Sequence, residues 1–116
     1  METAQSVRCS FCLRWADEVD KVIDGPGTFI CAGCVRACVA ILEADDGSST
    51  SLPSWHGMDD EALLARLPRI AEAADQVEQS LAQWVEEARR RGVSWARVGT
   101  ALGMTRQSAW KRFSAE

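Results

Sequence analysis

Four cysteines in two pairs, Cys9-Ser10-Phe11-Cys12 and Cys31-Ala32-Gly33-Cys34, constrain this chain more than any other feature. The pairs stand 18 residues apart, across positions 13–30. Thiolates so grouped can close a tetrahedral shell around one Zn²⁺, each pair forming a knuckle whose backbone turns around the metal. A CxxC pair alone is also a redox motif, but that reading needs a βαβ setting that this sequence lacks. A module of about forty residues buries too little apolar surface to fold unaided, so metal binding becomes folding free energy. With Cys9, Cys12, Cys31 and Cys34 all ligating, no coordination position stays open for water, and the metal is expected to be structural rather than catalytic.

The remaining composition matters mainly through its charge. Residues 1–88 carry six basic and sixteen acidic side chains, a net of −10, whereas residues 89–116 carry seven basic and one acidic, a net of +6; the two parts give the chain's −4. The basic group is Arg89, Arg90, Arg91, Arg97, Arg106, Lys111 and Arg112. Such asymmetry points to an anionic partner for the C-terminal part, nucleic acid first. The competing reading is that Arg89–Arg91 only favour a helix C-terminus through its dipole. Met1 to Phe11 holds no apolar stretch of the signal-peptide kind, and the most apolar run, Phe29 to Leu42, is interrupted by Arg36 and too short for a bilayer. The expectation is a cytoplasmic protein, without a membrane partner, whose thiols are held by metal rather than as disulfides.

Between the cysteine pairs, Gly25-Pro26-Gly27 marks a tight turn, and the β-branched run after it reads as a short strand delivering Cys31. From Cys34 onward Val35, Cys38, Val39, Ile41 and Leu42 take helical spacing. Cys38, one turn after Cys34, reads as a small buried hydrophobe rather than a fifth ligand.

The string CSFC…DEV…IDGPGTFICAGCVRACVAIL closely resembles the N-terminal zinc-binding domain of the ClpX family of protease-unfoldase subunits, over about residues 7–43. The resemblance implies a treble-clef-like fold, a tight homodimer and recognition of protein partners. No GxxxxGK[ST] phosphate loop follows, which excludes ATP-driven unfolding by these residues.

Residues 44–58 are rich in Gly, Ser, Asp and Pro and read as a flexible linker, with His56 a solvated loop residue and not a ligand. Asp59 or Asp60 can cap a following helix, which Pro68 either kinks or restarts. Leu63, Leu67, Ile70, Ala74, Val77, Leu81, Trp84 and Ala88 alternate by four and three, a heptad seam. Two readings stand: a parallel coiled-coil dimer, or, favoured for residues 76–91, the first helix of a small helical domain. Gly92 ends the helix.

Ser94 and Thr105 sit where helix caps belong, with Gly99 as the small residue at a helix crossing and Gly103 as the turn. Val98, Leu102, Met104, Ala109 and Phe113 form the inward face; Trp110 has two readings, packing on the first helix, which is favoured, or contact with DNA. Thr105, Arg106, Gln107 and Lys111 are left outward. The string SWARVGTALGMTRQSAWKRF resembles the helix-turn-helix of many bacterial regulators, among them the biotin-operon repressor type. Arginine can fork onto guanine, glutamine onto adenine, and lysine and threonine onto phosphates or bases. Arg89, Arg90, Arg91, Arg97 and Arg112 would add sequence-independent attraction to phosphates.

The sequence therefore predicts a small α+β zinc finger, treble-clef-like, at 1–43, a linker at 44–58, and an all-α domain at 59–116 with a helix-turn-helix at 94–114. Its expected function is that of a Zn²⁺-containing, homodimeric transcriptional regulator that binds double-stranded DNA. A protein partner could also engage the zinc module, and the alternative is an adaptor of the Clp protease machinery. No nucleophile–base set, open metal site or phosphate loop points to an enzyme.

Overall fold

The computed structural model describes residues 7–44 and 55–114, so residues 45–54 of the expected linker lie outside the described residues. The chain divides into two compact units, Met1–Val77 and Glu78–Glu116, with the division falling within a helix.

The first unit opens with a knuckle. Cys9 N–H donates to Arg14 O at 2.8 Å and Ala16 N–H to Val7 O at 2.8 Å, closing a narrow loop around the Cys9–Cys12 pair. A 3-10 turn at Ala16–Glu18 leads into strand β1 (Val22–Asp24), which pairs antiparallel with β2 (Phe29–Cys31) in the register Val22↔Cys31 and Asp24↔Phe29. Gly25-Pro26-Gly27-Thr28 makes the turn, and Gly27 takes a φ of 73°, a left-handed conformation that only glycine adopts freely. The expected strand before Cys31 is present. Helix α1 (Ala32–Glu43) starts two residues earlier than its apolar spacing indicates, because Cys31, still extended at φ −85° and ψ 161°, is itself the N-cap.

Helix α2 (Asp60–Arg90) is continuous through Pro68. The helix does not restart there. Proline costs the helix one backbone hydrogen bond, and the turns after it are held by side-chain contacts to the knuckle. Asp59 supplies the cap, its Oδ1 accepting from Ala62 N–H at 2.9 Å, as the acidic start of the helix predicts.

In the second unit the last turns of α2 pack with α3 (Trp95–Leu102) and α4 (Arg106–Phe113). Gly92, at φ 88°, ends α2 with paired bonds: its own N–H to Arg89 O and Val93 N–H to Ala88 O. Gly103, at φ 70°, repeats the pattern after α3, with Gly103 N–H to Thr100 O and Met104 N–H to Gly99 O. Both are Schellman closures, in which a left-handed glycine lets two orphan carbonyls be satisfied at once. Ser94 accepts from Arg97 N–H and Thr105 from Ser108 N–H, so both expected caps form. Val85, Val98 and Ala109 are buried at the centre, surrounded by Leu81, Val93, Trp95, Leu102, Met104 and Phe113.

Three expectations are corrected. Cys38 is exposed, not buried, because no described segment of the chain covers that face of α1, where Ile41 and Leu42 are 72% and 75% exposed. Trp84 is 68% exposed while Val85 beside it is buried. Here the 3.6-residue repeat of a helix facing a compact core overrides the 3.5-residue seam. Trp110, expected against the first helix, is half exposed and is not among the side chains packed on the core.

Candidate functional site

The two knuckles bring the sulfurs of Cys9, Cys12, Cys31 and Cys34 together, all within 4.8 Å of one another. Cys9 Sγ lies 3.8 Å from Cys34 Sγ, and Cys12 Sγ 3.8 Å from Cys31 Sγ. A regular tetrahedron of sulfurs around Zn²⁺, with Zn–S bonds of about 2.3 Å, has edges of roughly 3.8 Å. The cluster therefore has the size of a Zn²⁺ shell, whereas disulfide sulfurs would sit about 2.05 Å apart. Cys38 is outside it.

The surroundings of Cys9 favour a thiolate. Burial raises its pKa, but the N–H groups of Cys12, Cys31 and Phe11, donating to Sγ at 3.5, 3.3 and 3.3 Å, outweigh that and bring it down to about 6. Burial pushes Cys12 up, and pushes Cys34 up to about 12, the latter reinforced by the neighbouring thiols and the negative charge on Cys9. Four close thiols cannot all ionise without a cation among them. Zn²⁺ supplies that charge, holding both knuckles and the start of α1 in place.

Residues 7–44 match the family described as ClpX C4-type zinc finger. With the sulfur geometry, this fixes the cofactor of the cluster as Zn²⁺. No solved structure matches the chain. The ClpX-type finger accounts for the first knuckle, the hairpin and α1, and leaves α2, α3 and α4 outside the match.

Arg8, which no sequence motif marks, organises the first knuckle of this finger. Its Nε and Nη2 donate to Leu13 O at 2.9 and 2.6 Å, its guanidinium lies 4.4 Å from the Trp15 ring centroid, and Nη1 pairs with Glu72 Oε1 at 2.9 Å. Leu13 needs that grip. It is the one non-glycine residue among those described with a positive φ, 67°, a conformation that strains an L-residue. Contacts from α2 reinforce the knuckle: Ser10 Oγ donates to Gln76 Oε1 at 2.9 Å, Gln76 Nε2 donates to Arg8 O, and Arg69 Nη2 donates to Phe11 O at 3.3 Å. No sequence signal marks these partners, since they lie 58 to 68 residues apart in the chain.

The basic residues expected to face an anionic partner fall into two groups. Arg89 stacks on Trp95 at 4.6 Å and donates to Val93 O; Arg90 and Arg91 both pair with Glu87; and Arg112 Nη2 donates to both Glu78 carboxylate oxygens, at 2.9 and 3.0 Å. Exposed pairs of this kind contribute little stability. Arg97, Arg106, Gln107 and Lys111 are exposed and form no side-chain pair among the described residues. The Thr105 hydroxyl is committed to the cap and to Ser108 Oγ. On α4, Arg106, Trp110, Gln107 and Lys111 occupy one contiguous exposed sector beside the face that buries Ala109.

What presents this sector is the crossing at Gly99. A Cβ on Gly99 would stand 2.7 Å from Met104 O and 2.9 Å from Thr105 O, so the turn into α4 runs directly over the α3 backbone.

Proposed function

We propose that the protein is a zinc-stabilised, sequence-reading DNA-binding protein, a transcriptional regulator that presents α4 to the major groove. The observation that carries this reading is the α4 sector of Arg106, Gln107 and Lys111, exposed and without side-chain partners among the described residues, on a helix pair locked by Gly99 and Gly103. In a helix-turn-helix, the residues at the start of the second helix meet base edges. Arg106 and Gln107 are the first two residues of α4. They carry the side chains suited to guanine and adenine. Arg97 and Lys111 supply phosphate contacts, and Arg89, Arg90, Arg91 and Arg112 reach phosphates by leaving their carboxylate partners. The finger's role is structural and associative rather than enzymatic. A second copy covering the apolar face of α1, where Val39, Ile41 and Leu42 are exposed, would make a homodimer that reads two half-sites.

One observation favours a second reading. The match of residues 7–44 to the ClpX C4-type zinc finger leaves open an adaptor of the Clp machinery that binds protein through the finger. Electrophoretic shift assays on duplexes selected from a random pool, at two salt concentrations, separate the two. For the DNA reading, Arg106→Ala costs about 1–3 kcal/mol on the preferred site and relaxes its specificity, while Arg97→Ala weakens all duplexes alike and lowers the salt slope by about one. If the wild type binds no duplex at low salt, or Arg106→Ala binds unchanged, α3 and α4 are a protein-docking element.

A further inference from the structure

Trp110 is 49% exposed, although a tryptophan has much apolar surface to bury and the core beside it is closed by Val85, Val98 and Ala109. Among the described residues no cation lies over its ring, unlike those of Trp15 and Trp95, which lie under Arg8 and Arg89. Its position is specific. It follows Arg106 by four residues and Gln107 by three on α4, so it stands one turn along the sector that carries them, with Lys111 beside it. An indole there is ringed by groups suited to base edges and phosphates, and the positive charge of Arg97, Arg106 and Lys111 complements a polyanion, not an apolar protein surface.

We propose that Trp110 is a specificity-determining residue, which selects thymine through contact of the indole with its 5-methyl group in the major groove; this rests on the DNA-binding reading above. The major groove is where A·T and T·A differ, and the thymine methyl is the one apolar feature displayed there. Arg106 and Gln107 read hydrogen-bonding edges and are indifferent to that methyl. The indole N–H is a donor only, so it adds no acceptor that would compete for cytosine. The recognised sequence thus contains a thymine within a base or two of the positions read by Arg106 and Gln107.

The test removes only the methyl. In the preferred duplex, selected with the full zinc-loaded chain, each thymine in turn is replaced by deoxyuridine, which keeps the pairing and the O4 acceptor. Wild type is expected to lose about fourfold in affinity at one position, the transfer value of one methyl-sized group. Trp110→Ala binds the thymine duplex more weakly and does not distinguish it from the uracil duplex, whereas Arg106→Ala, though weaker, still does. Trp110→Gln replaces the alanine variant if that does not fold, and far-UV circular dichroism checks both. A selected site without thymine, a wild type indifferent to every replacement, or a Trp110 variant that still discriminates overturns the assignment. Failure of the wild type to bind any duplex overturns instead the DNA reading on which it stands.

Discussion

Replacing Gly99 with alanine sets two effects of opposite sign against each other. Alanine is the better helix former by about 1 kcal/mol, and it narrows the unfolded ensemble, so at an ordinary position of α3 the change would stabilise. At Gly99 the new methyl would meet Met104 O at 2.7 Å, Thr105 O at 2.9 Å and Thr105 C at 3.0 Å. All three atoms are backbone, so no rotamer change relieves the contact; the turn itself must move. Overpacking of this kind costs about 1–3 kcal/mol, and a backbone collision belongs in the upper half of that range. The clash wins, leaving a net loss of about 1–2 kcal/mol. The loss is local. Amide hydrogen exchange across α3 and α4 of the zinc-loaded protein should speed up by roughly five- to thirtyfold. Thr100→Ala, on the exposed side of the same helix, should stay within about 0.5 kcal/mol of wild type. On the DNA-binding proposal, affinity for duplex should fall with Gly99→Ala, because the sector on α4 is aimed by this crossing. A Gly99→Ala protein with slower exchange in α3 and α4 would refute the reasoning, since propensity would then outweigh the close approach.

Three further outcomes are expected. Zn²⁺ uptake at pH 7 should release protons, because the metal binds thiolates while the fold pushes Cys12 and Cys34 up, so that they keep their protons until the cation displaces them; affinity therefore rises with pH, and calorimetry in buffers of different ionisation enthalpy should find at least two protons released, with no buffer dependence counting against it. Cys38→Ala should keep one Zn²⁺ per chain in native mass spectrometry, since Cys38 lies outside the sulfur cluster, and metal loss would contradict that geometry. Arg8→Ala, which removes both donors to Leu13 O, should weaken Zn²⁺ binding by about tenfold or more in chelator competition, whereas Glu72→Ala, breaking only a half-exposed ion pair, should change it by less than about fivefold; equal effects would place the value of Arg8 in its charge instead.

The features legible in the sequence are those that a few neighbouring residues decide. Two CxxC pairs define the Zn²⁺ ligands, because a knuckle is a local turn and the metal joins two of them whatever lies between. Ser94, Thr105 and Asp59 cap helices through bonds that reach only three residues, and Gly92 and Gly103 take the positive φ that closes them. Where a side chain's setting depends on what comes to lie against it, the pattern alone was not enough. Cys38 has helical spacing suited to burial yet is exposed, since nothing described in the chain reaches that face of α1. Trp84 fits a heptad, but a core built from α2, α3 and α4 takes Val85 in its place. Pro68 was a natural boundary, and α2 runs through it because the knuckle grips Arg69, Glu72 and Gln76 on the turns beyond. Arg8 was silent in the sequence for the same reason: its work is done on a carbonyl five residues away and a carboxylate 64 residues away, and only folding brings the three together.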